Sequence, residues 1–183
     1  MRILLAGLAA GIAMFAWSTV AHLATPLPSM GISTLPDESV TVGNLASAIG
    51  DKGGLYLFPS ANGNSPSSSA AVAPGGFLVF NPKASTSTQP PLKNLIIEFL
   101  TELAEGLIVA WLVAQTALAS YLSRVGFVTM VGLAAAITAN IPYWNWYTFP
   151  TAYTLGYGFT ELVAYIAAGL AIAAIVRPKM ASA

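Results

Sequence analysis

The stretch ILLAGLAAGIAMFAWSTVAHLA, residues 3–24, contains no Asp, Glu, Lys or Arg. An α-helix needs about 20 predominantly apolar residues to cross the ~30 Å hydrocarbon core of a bilayer, so this stretch predicts a transmembrane helix. Arg2 followed by an apolar run also suits a cleaved secretory signal peptide, whose apolar core is shorter, about 7–15 residues. Because the run is longer than that, we favour an uncleaved anchor over residues 1–24.

The composition of the whole chain agrees with this first stretch. Of 183 residues, 56% are hydrophobic and 8% are charged, and the mean hydropathy is +0.71. A typical soluble domain has about 25% charged residues, so this chain has too few polar residues to cover the surface of a water-soluble domain of its size. Seven basic and seven acidic residues cancel, which excludes the basic footprint of a nucleic-acid-binding protein. Without Cys, the chain forms no disulfide and no Cys-ligated metal site.

Three further apolar runs occupy residues 95–122, 125–141 and 153–176. With the first run they predict an all-α membrane protein: a four-helix transmembrane bundle, with helices two to four and a short cytoplasmic tail in residues 95–183. Gly7 and Gly11 lie four residues apart on the first helix, a spacing that lets a neighbouring helix approach closely. We expect this face to pack inside the bundle rather than to mediate dimerisation.

Basic residues near the predicted helix ends indicate the orientation of the chain. Four such residues are present: Arg2, Arg124, Arg177 and Lys179. Lys and Arg concentrate in the short cytoplasmic segments of membrane proteins, and all four fall on one side only if the N-terminus is cytoplasmic. Both termini are then cytoplasmic, residues 25–94 lie outside, and the aromatic residues within 143–149 mark the outer interface.

The segment 25–94 predicts a short helix and a β-hairpin. Residues 33–38, STLPDE, have the features of a helix start: a hydroxyl cap, Pro in the first turn, and acids beside the positive end of the helix dipole. Gly50 is the predicted end of this helix. The runs GLYLF (54–58) and GFLVF (76–80) predict two strands, with the Ser-rich link between them as the tip of the hairpin. We expect this hairpin to rest on the bundle, because a two-stranded hairpin alone is marginally stable.

Acidic residues within the predicted spans are the strongest functional signal in the sequence. Glu98, Glu102 and Glu105 have spacings of four and three, which place all three carboxylates on one face of the second helix. An ionisable side chain in a membrane span is costly, by at least about 2.5–3.5 kcal/mol, and commonly functional. In the predicted topology His22 and Glu161 lie in the same outer layer, as do Asn140 and Asn145.

The sequence therefore predicts a candidate ion or proton site composed of His22, Glu98, Glu102, Glu105 and Glu161. One imidazole with several carboxylates is suited to a divalent ion such as Zn, Mn or Fe, or to proton relay. The alternative is that the glutamates are interfacial, because carboxylates in the first turns of a helix are favoured by its dipole. No His-x-x-x-His or Glu-x-x-His motif occurs, so this hypothesis depends on convergence of the side chains in space.

Six fragments of the sequence form a recognisable pattern: Phe15-Ala16-Trp17 with His22, Pro26-Leu27, residues 31–38, residues 54–59, residues 124–127 and residues 143–150. Together they resemble a group of small uncharacterised bacterial inner-membrane proteins. The resemblance covers most of the chain and implies four spans in the bacterial inner membrane. It implies no activity.

Two functional hypotheses follow. In the first, the protein is a non-catalytic accessory or structural subunit of a larger inner-membrane assembly, in contact with lipids and with other membrane protein subunits. In the second, it is a small transporter or a cation- or proton-binding protein that uses the acidic residues. The sequence contains no phosphate-binding loop and no hydrolase motif, so it predicts neither an enzyme nor a particular cofactor.

Overall fold

The computed structural model describes residues 1–59, 74–84 and 90–176, and this part of the chain is mostly helical. Three of its helices are long and apolar enough to cross a membrane: α1 (Arg2–Ala24), α4 (Tyr121–Tyr147) and α5 (Thr151–Ile175). The predictions of a mostly helical chain and of helices able to span a membrane are confirmed to this extent. Arg177 and Lys179, which were used to predict the orientation of the chain, lie outside the described ranges.

The predicted second span corresponds to helix α3 (Leu92–Ala114), which is not among the three apolar helices. Helix α3 carries three glutamates, whereas α5 carries one and α1 and α4 carry none. The expected continuation of this helix to residue 122 is wrong, because a separate link follows Ala114 and Ser120 caps α4. The Ser120 hydroxyl accepts a hydrogen bond of 3.0 Å from the Ser123 backbone N–H. Among the described residues four helices are 23 residues or longer, and three of them are apolar enough to cross a membrane, so the predicted bundle of four transmembrane helices is not confirmed.

Close packing between α1 and α3 depends on glycines, as the spacing of Gly7 and Gly11 predicts. A Cβ added at Gly7 would lie 2.7 Å from the Leu107 Cα, and one at Gly11 would lie 2.6 Å from the Leu103 Cα. On the opposing helix, a Cβ at Gly106 would lie 2.5 Å from the Gly7 carbonyl oxygen. The two backbones are therefore in direct contact, and these contacts fix the axial position of α3 relative to α1.

The long helices pack in the spatial order α3, α1, α5, α4. Helix α1 packs against both α3 and α5, and α5 packs against α4, while α3 and α4 make few contacts with each other. Alanines and medium-sized apolar side chains fill the core, among them Ala10, Met14, Ala168 and Ile172. This order leaves α1 and α5 at the centre of the molecule, with α3 against one side of the pair.

Arg124 is a buried structural residue at the end of the bundle where α1 begins. It is 8% exposed and lies in the first turn of α4, not in the preceding link. Its Nη1 donates to the carbonyl oxygens of Leu118 and Ala119, at 3.1 and 2.8 Å, and its Nη2 donates to the carbonyl oxygen of Ala173, at 3.1 Å. One guanidinium thus ties the α3–α4 link to the end of α5.

The segment between α1 and α3 contains the predicted helix and hairpin. Helix α2 (Glu38–Ile49) ends before Gly50, as predicted, but no side chain caps its start. The helix begins at Glu38, the last residue of the predicted start 33–38, and Glu38 is the predicted acid in its first turn. The expected hydroxyl cap and the Pro in the first turn are wrong, because the residue that precedes the helix is Asp37, in a left-handed conformation (φ 43°). Strands β1 (Gly54–Phe58) and β2 (Gly76–Phe80) pair antiparallel. The predicted tip lies largely in residues 60–73, outside the described ranges.

The hairpin contacts the bundle through aromatic side chains. The rings of Phe77 on β2 and Tyr147 on α4 pack edge to face, with their centroids 4.1 Å apart. Trp146 and Thr148 line a small cleft together with residues of both strands. The hairpin therefore rests on the end of α4, as expected for a sheet too small to be stable alone.

Candidate functional site

A cavity of about 210 Å³ lies between α1, α3 and α5, at the end of the bundle where α1 ends and the other two helices begin. We refer to it as the acidic cavity. Its lining comes from α1 (Met14, Ser18, His22), the turn after α1 (Pro28), α3 (Glu98, Thr101, Glu102, Glu105) and α5 (Tyr157, Thr160, Glu161, Ala164, Tyr165). Among these described residues there is no Lys or Arg.

All five residues of the predicted site line this one cavity. They are His22, Glu98, Glu102, Glu105 and Glu161. Of the two asparagines expected in the same layer, Asn140 reaches the site indirectly, since its Nδ2 donates to Glu161 Oε2 at 3.2 Å. Asn145 is exposed and does not line the cavity.

Contacts between helices explain why these side chains meet. The Trp17 indole N–H donates to the Thr160 carbonyl oxygen at 2.8 Å, and this hydrogen bond fixes the axial position of α5 relative to α1. The glycine contacts fix α3 against the other side of α1. Phe15 and Phe99 pack edge to face, with centroids 5.2 Å apart, at the level of the cavity. Residues far apart in sequence are therefore held at one depth by direct contacts.

The four glutamates differ in exposure, which defines a mouth and an interior. Glu98 and His22 are exposed, Glu105 and Glu161 are partly buried, and Glu102 is only 7% exposed. On α3 the series from Glu98 to Glu105 covers two turns, about 10 Å at 1.5 Å per residue. The acidic cavity is therefore elongated along the helices.

Glu102 is the least satisfied polar side chain of the acidic cavity. Its Oε2 is buried and has no hydrogen-bond partner. Ser18 lies beside its carboxylate, and Glu98 and Glu105 are its nearest acidic neighbours. A buried, unpaired carboxylate is strongly unfavourable, so this oxygen marks the place where a positive group would be stabilised.

The sequence did not single out the hydroxyl and aromatic residues of the cavity. Ser18, Thr101 and Thr160 line it, as do Tyr157 and Tyr165. Thr101 lies three residues after Glu98 and Tyr165 four residues after Glu161, so helical periodicity from each glutamate would have identified both. Tyr165 lies beside Glu105 as well as Glu161.

The expected metal role has no further support from the geometry. Within the ranges 1–59, 74–84 and 90–176, no group of three or more His, Asp or Glu side chains is arranged to hold a metal ion. The His22 ring is turned towards its own helix, where Nδ1 contacts the Ser18 carbonyl oxygen at 2.9 Å. The role of the five residues in binding an ion or a proton stays a prediction.

Comparisons with known proteins add no homologue. The chain matches no protein-family model, no curated protein and no solved structure.

Proposed function

We propose that the chain is a four-helix integral membrane protein that binds a cation in the acidic cavity. The observation that carries this proposal is the buried Glu102 carboxylate, which lines the cavity with an unpartnered oxygen. Three more carboxylates line the same space, and no Lys or Arg among the described lining residues neutralises them. A bound cation offsets both the desolvation of Glu102 and the mutual repulsion of the four acids.

The proposed setting is the bacterial inner membrane, with α3 as the fourth span and both termini in the cytoplasm. Close packing of α3 against the apolar α1 supports a shared depth for the two helices. Arg2 and Arg124 lie at the same end of the bundle, which is the cytoplasmic end under the positive-inside rule. The acidic cavity then opens to the outside, on the side proposed for residues 25–94, and Pro28 of this segment lines it.

The test is cation binding by the purified full-length chain in an uncharged detergent. The thermal unfolding midpoint and the binding isotherm are measured with potassium, magnesium, zinc and alkylammonium chlorides at constant ionic strength. At least one cation is expected to raise the midpoint of the wild type and to lose its effect in Glu102→Gln. Glu38→Gln is the matched control, because Glu38 is an exposed glutamate on α2, outside the cavity. A midpoint that responds to no cation contradicts the proposal.

A second candidate function is that of an accessory subunit of a larger membrane assembly. The supporting observation is α2, which buries none of its residues. Val42, Leu45 and Ile49 recur at helical spacing on one face of this helix, and Val42 is 40% exposed. An apolar stripe of this kind packs either on lipid headgroups or on another membrane protein subunit.

Photo-crosslinking distinguishes these two environments of α2. A photoreactive amino acid is placed at Val42 or, as a control, at Asp51, and the chain is crosslinked in its native membrane. An accessory subunit yields one discrete protein adduct from position 42 and none from position 51. Adducts with lipid alone, together with a single species after mild detergent extraction, contradict the subunit hypothesis.

A further inference from the structure

The carboxylates and the threonines that line the acidic cavity present hydrogen-bond acceptors. Thr101 Oγ1 donates its proton to the Ile97 carbonyl oxygen at 2.9 Å, and Thr160 Oγ1 donates to the Gly156 carbonyl oxygen at 2.8 Å. A hydroxyl has one proton, so both threonines offer only lone pairs to a ligand. Carboxylates likewise accept. The lining therefore complements a ligand that is rich in donors, and an ammonium group has three donors and no acceptor.

The deep side of the cavity is bounded by side chains that suit an organic cation. Met14, Ala164 and Tyr165 line it, and all three are at most 8% exposed. Such surfaces pack against methylene groups, and the face of an aromatic ring attracts a cation. A bare metal ion needs its ligands to converge on one point, and no group among the described residues does so.

The spacing of the carboxylates indicates more than one positive group. Glu98 at the exposed mouth and the buried Glu102 lie one helical turn apart, with Cβ atoms about 5–6 Å from each other. A chain of four methylene groups separates its terminal nitrogens by a similar distance. Glu105 continues the series on α3, and Glu161 adds a carboxylate from α5.

We infer that the ligand of the acidic cavity is a linear aliphatic diamine or polyamine, held end-on with its ammonium groups against successive carboxylates and its methylene chain against the apolar wall. This inference rests on the proposed function, since it names the class of cation. The innermost ammonium group pairs with Glu102, whose buried oxygen has no other partner. The outer ammonium group pairs with Glu98 near the mouth.

The test compares two amines of equal length that differ in one charge. The purified full-length chain in an uncharged detergent is titrated with 1,4-diaminobutane and with n-butylamine at constant ionic strength, by isothermal titration calorimetry. The diamine is expected to bind at least about tenfold more tightly, because the second ammonium group adds a charge-assisted contact. Glu98→Gln is expected to remove most of this preference, while Glu38→Gln preserves it.

Each outcome bears on a separate claim. Equal affinities for the two amines overturn the inference that two ammonium groups of one ligand bind in the cavity. They leave the proposed binding of a cation intact. Binding of magnesium or zinc chloride alone overturns the amine class and also leaves cation binding in place. If no cation binds, the proposed function fails with the inference. Because the wild-type comparison needs no mutation, a folding defect in Glu102→Gln does not affect the result, and Glu161→Gln provides a second cavity variant.

Discussion

Asn140 on α4 donates a hydrogen bond from Nδ2 to Glu161 Oε2 on α5, with a distance of 3.2 Å. The same nitrogen donates to the Ala136 carbonyl oxygen one turn earlier, at 2.9 Å, which orients the amide. Helix α4 contributes no residue to the described lining of the acidic cavity. Through Asn140 it nevertheless determines where one of the cavity carboxylates lies.

Replacing Asn140 by Leu removes this donor and leaves Glu161 with one partner fewer. We expect Asn140→Leu to lower the free energy of unfolding by about 1 kcal/mol, which is typical of hydrogen bonds between membrane helices. We also expect weaker cation binding, because Glu161 is no longer oriented. Thermal unfolding and calorimetry of the detergent-solubilised chain measure the two effects. Asn145→Leu is the control, since Asn145 is exposed on the same helix, and equal behaviour of the two variants would show that the contact is unimportant.

Gly106 on α3 has no room for a side chain. A Cβ there would lie 2.6 Å from the Gly11 backbone nitrogen as well as against Gly7. We expect Gly106→Ala to destabilise the fold by about 1–3 kcal/mol, because the two backbones must separate. The control is Gly126→Ala on α4, where no atom lies within 4 Å of the added Cβ. The prediction fails if the unfolding midpoints of the two variants agree.

Arg124 stabilises the end of the bundle that lies opposite the acidic cavity. Arg124→Ala removes three hydrogen bonds to backbone carbonyls, so we expect a loss of about 2 kcal/mol or more. Arg124→Lys is expected to recover only part of this, because an ammonium lacks the planar fork that reaches the link and α5 together. Arg2→Ala, at an exposed position, is the control. Cation affinity is expected to be unchanged, and a large change would indicate coupling between the two ends.

Phe77 holds the hairpin on the end of α4. We expect Phe77→Ala to free the hairpin and to accelerate proteolytic cleavage between β1 and β2, with little change in the unfolding of the helices. Val79→Ala on the same strand is the control, because Val79 is 79% exposed. Cleavage rates in limited proteolysis measure the effect, and equal rates for both variants would place the hairpin's attachment elsewhere.

The candidate site was largely predictable because helical periodicity and helix direction are properties of the sequence. Spacings of four and three align Glu98, Glu102 and Glu105 on one face, and alternating helix directions bring His22 and Glu161 to the same end. Thr101 and Tyr165 follow from the same periodicity, but which of the other side chains line the cavity depends on how each helix is rotated about its axis. That rotation is set by contacts such as the one between Trp17 and Thr160.

The sequence by itself determined the apolar character of the chain, the approximate positions of its apolar helices, the hairpin and the acidic face of α3. These features are local, since they depend on runs and spacings of a few residues. Only the tertiary structure decided that Glu102 is buried while Glu98, one turn away on the same face, is exposed. Burial depends on which neighbour covers each turn. Here the glycine contacts with α1 bring α3 close enough to cover Glu102 and leave Glu98 at the mouth.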